Sequence, residues 1–120
     1  MRYMMFIKHT EDYENKTVPP GLDAAMGEFV GEAIKSGVMI DGAGLQPPAK
    51  GTQVKLRRGK ISVVDGPFSE SKEIVGGYAI VEVKSKQEAI ELARKFMDLH
   101  RLHWPDFDGM AEVRPLEDPA

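Results

Sequence analysis

The chain opens on a stretch that is apolar on both parities. In "RYMMFIKH", residues 2–9, Met4 and Phe6 face one way and Tyr3, Met5 and Ile7 the other. A strand of this kind is covered on both faces, so it is expected at the centre of a sheet with material packed on each side. The polar run "TEDYENKTVPP", residues 10–20, reads as a loop whose prolines suit entry to a helix. Over residues 21–36 the period changes. Leu22, Met26, Phe29, Val30, Ala33 and Ile34 recur at spacings of three, four and seven and make one apolar stripe, with Gly37 placed as the stop. Gly27 and Gly31 lie inside this helix and weaken it by ~1 kcal/mol each relative to alanine. Their spacing of four puts them on one edge, where they would let the helix lie close to the sheet.

Past the helix, "VMIDGAGL" (38–45) is a short strand interrupted by glycine, and "QPPAKG" is loop. "TQVKLRRGKISVVDG" alternates as a hairpin that turns at Arg58-Gly59 and returns through Ile61, Val63 and Val64. "GPFSESKEIVG" connects it to "GYAIVEV" (77–83), the clearest strand. "SKQEAIELARKFMDLHRLH" (85–103) is the clearest helix. Ser85 and Glu88 form its capping box, Ala89, Ile90, Leu92, Ala93, Phe96, Met97 and Leu99 supply its buried face, and Pro105 ends it. "GMAEVRPL" (109–116) closes the chain as a strand.

The order β, α, β, β-hairpin, β, α, β predicts one α+β domain over residues 1–120, a ferredoxin-like sandwich with a β-hairpin insertion. Two helices cover only one face of a four-stranded sheet, yet the first strand is apolar on both. A second copy of the sheet is the simplest cover, so a homodimer is expected, with two sheets packed face to face as a dimeric α/β barrel.

Composition removes several classes of function. The chain has 120 residues and no cysteine, which excludes disulfides, a thiolate nucleophile and Cys-ligated metal centres. A cytoplasmic location fits that lack. A formal net charge of −3 offers no reason to expect nucleic acid, and the basic run Lys55, Arg57, Arg58, Lys60 reads as a solvated hairpin. No apolar run approaches the ~20 residues of a membrane span, and no secretory signal opens the chain. No cofactor is implied.

Candidate chemistry is sparse. His9 ends the first strand on the parity of Tyr3, Met5 and Ile7, and reads either as a structural histidine or as a general acid or base. His100 and His103, three apart on a helix, could share a metal, but two ligands are too few, and imidazole near a helix C-terminus also suits the dipole. No metal is assigned. Asp65-Gly66-Pro67 is turn chemistry first, with Phe68 expected to plug an edge of the core; held at a strand end, Asp65 could also orient His9 or a ligand. Lys72 as a Schiff-base lysine would need burial that "SESKE" does not offer. On the closing strand Glu112 and Arg114 share a parity. With Tyr78 and Glu82 they are expected to face the cleft between sheets, either as an internal salt bridge or as a polar-ligand site anchored by Arg114.

The series "DGPFSESKEIVGGYAIVEV", "SKQEAIELA" and "EVRPL" resembles the DGPF-domain branch of the YCII-related family, and "MRYMMFIKHTED" and "FMDLHRLHWPDFDG" resemble one subgroup. The likeness spans nearly the whole chain. It implies a ferredoxin-like dimeric α/β barrel, a fold shared with muconolactone isomerases and small monooxygenases. In the wider family a His–Asp pair lies in a cleft, and here His9 and Asp65 are the counterparts by position. Two functions follow as expectations. One is a polar small molecule bound, or transformed by His9/Asp65 acid–base chemistry, between the sheets. The other is a non-catalytic regulatory or interaction module, with a sigma factor among its possible partners.

Overall fold

A computed structural model describes residues 1–10, 18–68 and 73–117. Its elements are β1 (Arg2–His9), α1 (Pro20–Lys35), β2 (Met39–Gly44), a short 3₁₀ turn (Pro48–Lys50), β3 (Thr52–Arg57), β4 (Lys60–Asp65), β5 (Ile74–Glu82), α2 (Lys86–His103) and β6 (Gly109–Pro115). The main sheet runs β2-β5-β1-β6, and every neighbouring pair is antiparallel. With both helices on one face this is a ferredoxin-like α+β fold. β3 and β4 form a separate two-stranded sheet inserted between β2 and β5.

Local chemistry accounts for the element ends. Pro19 precedes α1 and Pro20 opens it, where a missing N–H costs nothing. Gly37, at φ 80°, closes it in the left-handed conformation. Ser85 Oγ accepts from the Glu88 N–H at the start of α2. The reciprocal bond differs from a standard capping box: Glu88 takes the N–H of Lys84, one residue earlier. The β3–β4 turn holds Arg58 and Gly59 at φ 50° and 77°, the pair of positive angles that a tight two-residue hairpin requires.

Register sorts the sheet into two faces. On the helix side lie Tyr3, Met5, Ile7 and His9, opposite Val81, Ala79, Gly77 and Ile74. Val113 and Ala111 join them from β6. The other face carries Met4, Phe6 and Lys8 with Ile80, Tyr78, Glu112 and Arg114, and no helix among the described residues covers it. The packed core sits at one end of the helix side, where Tyr3, Val81 and Val83 meet Ala89 of α2.

Two expectations need correction. Gly27 and Gly31 do not bring α1 against the sheet: both are exposed, and a Cβ on either would meet nothing within 4 Å. β5 starts at Ile74 rather than Gly77. The paired glycines resemble a strand boundary, but Ile7 pairs with Gly77 and Lys8 with Val75, so Gly76 is the extra residue of a bulge inside the strand.

The inserted hairpin is exposed along its whole apolar side. Val54 pairs with Val63 and Leu56 with Ile61. These four share one face and are between 67% and 72% exposed. The radius of gyration, 16.1 Å, exceeds the roughly 13.6 Å of a compact chain of this length. A protruding hairpin accounts for that excess.

Candidate functional site

The helix side of the sheet is packed at one end and hollow at the other. Beneath α1 lies a cavity of about 590 Å³, within the range of ~300–1,000 Å³ usual for small-molecule pockets. Its origin is legible in the register. Gly42 pairs with Ala79 and Gly44 with Gly77, so part of the floor under α1 is built from glycine and alanine, with Met39 lying over Gly42. Leu22, Met26, Phe29 and Val30 of α1 form the roof, and Phe96 and His100 of α2 a wall. The lining is overwhelmingly apolar.

Two histidines and Gln46 interrupt it. His9, at the end of β1, lies with its ring against the backbone of Gly76. A Cβ there would sit 3.0 Å from His9 Nε2, so the bulge glycine makes room for the ring. His100 is 7% exposed and is the buried polar residue of α2. Its Nδ1 is 3.0 Å from the carbonyl oxygen of Phe96. The rings form a continuous series: Phe29 to Phe96 at 5.8 Å, Phe96 to His100 at 5.0 Å, and His100 to Phe107 at 4.7 Å. His9 and Trp104 flank Phe107 at 6.3 Å and 5.5 Å.

His100 lines the cavity, a place that its position near a helix end does not by itself suggest. The overlooked signal is spacing: Ala89, Ala93, Phe96 and His100 fall on one helical stripe, which carries His100 inward. His103 diverges from it. It is exposed and borders Gly21 at the start of α1. Among the described residues no three His, Asp or Glu cluster as metal ligands.

The open face holds a different constellation. Lys8 Nζ donates to Glu112 Oε1 at 2.9 Å and lies 3.6 Å from Glu73, while Arg114 donates to Glu112 Oε2 at 2.6 Å. Both cations approach the Phe6 ring, at 5.9 Å and 5.7 Å from its centroid. The hydrogen bond to Glu112 raises the Lys8 ammonium above its ordinary value, against the opposing effect of burial. Hydrogen bonds from Lys8 and then Arg114 hold the Glu112 carboxyl below its own. The salt bridge expected between Glu112 and Arg114 is present and extends to Lys8. Tyr78 lies opposite Phe6 on this same face.

The site expected from the sequence is therefore divided. His9 lines the cavity on the helix side, which Tyr78 also borders, whereas Arg114 and Glu112 occupy the opposite face, so one cleft within the chain cannot hold them all. Asp65 stands apart from both. Thr52 Oγ1 donates to its carboxylate at 2.9 Å at the base of the hairpin, and among the described residues no contact joins it to His9. The following glycine has a structural role: the Gly66 N–H bonds Gly51 O at 2.9 Å, and a Cβ on Gly66 would overlap the Pro48 carbonyl. Phe68 does not reach the main core; it borders Gly51 at the hairpin base. Lys72, weighed as a Schiff-base lysine, falls outside the described residues.

Comparison with known proteins decides the family. The family model of the YCII-related domain matches residues 1–96. The chain belongs to the YCII-related family. This YCII-related protein is also similar to an uncharacterized protein of Rhizobium meliloti (strain 1021), 32% identical over 103 residues that cover 86% of this chain and 76% of the relative. The matched region includes His9 and the cavity floor. It ends at Phe96, so His100, Trp104 and Phe107 of the cavity wall lie beyond it. No helix among the described residues is long and apolar enough to cross a membrane.

Proposed function

We propose that this YCII-related protein binds a small molecule with a largely apolar body in the cavity between α1 and the sheet. His9 and His100 are its orienting groups and, where the molecule is transformed, its acid–base groups. The observation that carries this reading is a cavity of about 590 Å³ with an apolar lining and two imidazoles on its wall. A site of this make-up selects shape through burial and orientation through a few polar groups. The test is thermal melting followed by circular dichroism, with 1-naphthol as probe, on the wild type and on Gly44→Phe. Gly44 borders the cavity, and a Cβ there meets nothing within 4 Å, so the added ring has room to enter without displacing backbone. The wild type should be stabilised by about 1.4 kcal/mol at ten times the dissociation constant, and the variant should fold but lose the response. A probe-induced shift of equal size in both proteins would refute the assignment.

The same protein is proposed to be a homodimer in the cytoplasm, of the DGPF branch, its open sheet face meeting a second copy. Four strands of about eight residues present on the order of 500 Å² of flat surface. That falls short of the ~800 Å² per partner usual for a stable interface. By the same footprint the two six-residue strands of the hairpin add about 200 Å². Together they come nearer to what a stable dimer needs, which favours an interface using both.

A further inference from the structure

We infer that His100 makes the cavity selective for ligands that donate a hydrogen bond: a hydroxyl on an apolar ring system, as in a phenol or an enol. This deepens the proposed function and rests on it. A carbonyl oxygen only accepts, so the contact between His100 Nδ1 and Phe96 O, 3.0 Å, places a proton on Nδ1. In the neutral ring that leaves Nε2 with its lone pair outward, as an acceptor. Nε2 has no partner among the described residues. No fully enclosed side-chain nitrogen or oxygen of theirs lacks a partner either, so Nε2 keeps some exposed surface, and His100 lines the cavity. The residue itself is 93% buried, the complement of its 7% exposure. Phe96 at 5.0 Å and Phe107 at 4.7 Å hold the ring between them and restrict its rotation.

An acceptor set among apolar side chains discriminates more sharply than an apolar wall alone. A ligand lacking the donor leaves it unsatisfied, and sites built to bond a hydroxyl reject the analogue without one. An anionic acceptor such as a carboxylate would face the lone pair and is disfavoured. The apolar lining supplies affinity in all cases, and Nε2 supplies the choice.

Calorimetric titration of the full chain separates affinity from choice. The probes are 1-naphthol, its methyl isostere 1-methylnaphthalene, and 1-naphthoate. The wild type should prefer 1-naphthol over 1-methylnaphthalene by about tenfold or more and bind 1-naphthoate most weakly. His100→Asn keeps a donor for Phe96 O, but its acceptor, Oδ1, ends short of the position of Nε2, so it should bind the first two alike. His100→Gln restores a polar group near Nε2 and should recover part of the preference. Equal affinity of the wild type for 1-naphthol and 1-methylnaphthalene, a preference that survives His100→Asn, or tightest binding of 1-naphthoate would each overturn the inference while leaving the cavity reading standing. If none of the probes binds, the cavity reading fails and this inference with it.

Discussion

Leu56 and Ile61 face each other across the hairpin at 70% and 72% exposure, so their replacement separates two accounts of the insertion. In an isolated chain the pair Leu56→Thr/Ile61→Thr touches nothing of the main sheet. Threonine is β-branched and fits a strand, and each change should alter monomer stability by no more than about 0.5 kcal/mol. If the hairpin packs on a second copy, each site loses about 1 kcal/mol of apolar burial, and two-fold symmetry doubles two sites to four. The sum, about 4 kcal/mol, raises the dimer dissociation constant roughly a thousandfold. Sedimentation velocity over a dilution series from high to low micromolar concentration measures the constant directly, and circular dichroism at each concentration verifies that the fold persists. A wild type that stays dimeric while the variant dissociates at the same concentration refutes the view that the arm is idle. A constant changed less than threefold refutes the packing of the hairpin on a second copy, and a wild type that sediments as single chains refutes the dimer itself.

Two further outcomes follow from the single chain. Gly27→Ala and Gly31→Ala occupy exposed helix positions with no neighbour within 4 Å of the added methyl, so each should stabilise the fold by up to about 1 kcal/mol and raise the melting temperature by several degrees; a fall on either would show that α1 packs there. The Lys8–Glu112–Arg114 cluster should make stability depend on pH at both extremes. The Glu112 share is full above its ordinary 4.5 and is lost as pH falls through its lowered value; the Lys8 share is full below 10.5 and is lost as pH rises through its raised value. Lys8→Met/Glu112→Gln should flatten both limbs of a melting-temperature profile, and unchanged limbs would exclude the cluster as their source.

The period of the hydrophobic pattern makes most of the architecture legible, and parity along β1 and β6 divides the faces correctly. The strand apolar on both sides announces a sheet needing cover on both. What escapes the pattern is everything that depends on pairing between distant segments. Gly42, Gly44 and Gly77 look like interruptions; only the β2–β5 register turns them into the floor of a cavity. Gly76 looks like a boundary because a bulge has no signature until the opposite strand is known. His9 and Arg114 do not share one cleft, because their parities differ once β1 and β6 are aligned. Only resemblance links Asp65 to His9, and its carboxylate belongs to Thr52. His100 is the opposite case: its helical stripe is readable, but a polar residue invites explanation by charge before burial.

The chain has a single tryptophan, and it borders the cavity. Emission excited in the red edge of indole absorption therefore comes from one known wall. Its wavelength and intensity should respond when a guest displaces water near Trp104, with no dye attached. Cell extracts could then be fractionated by that optical signal, so the fold carries a means of finding its own natural ligand.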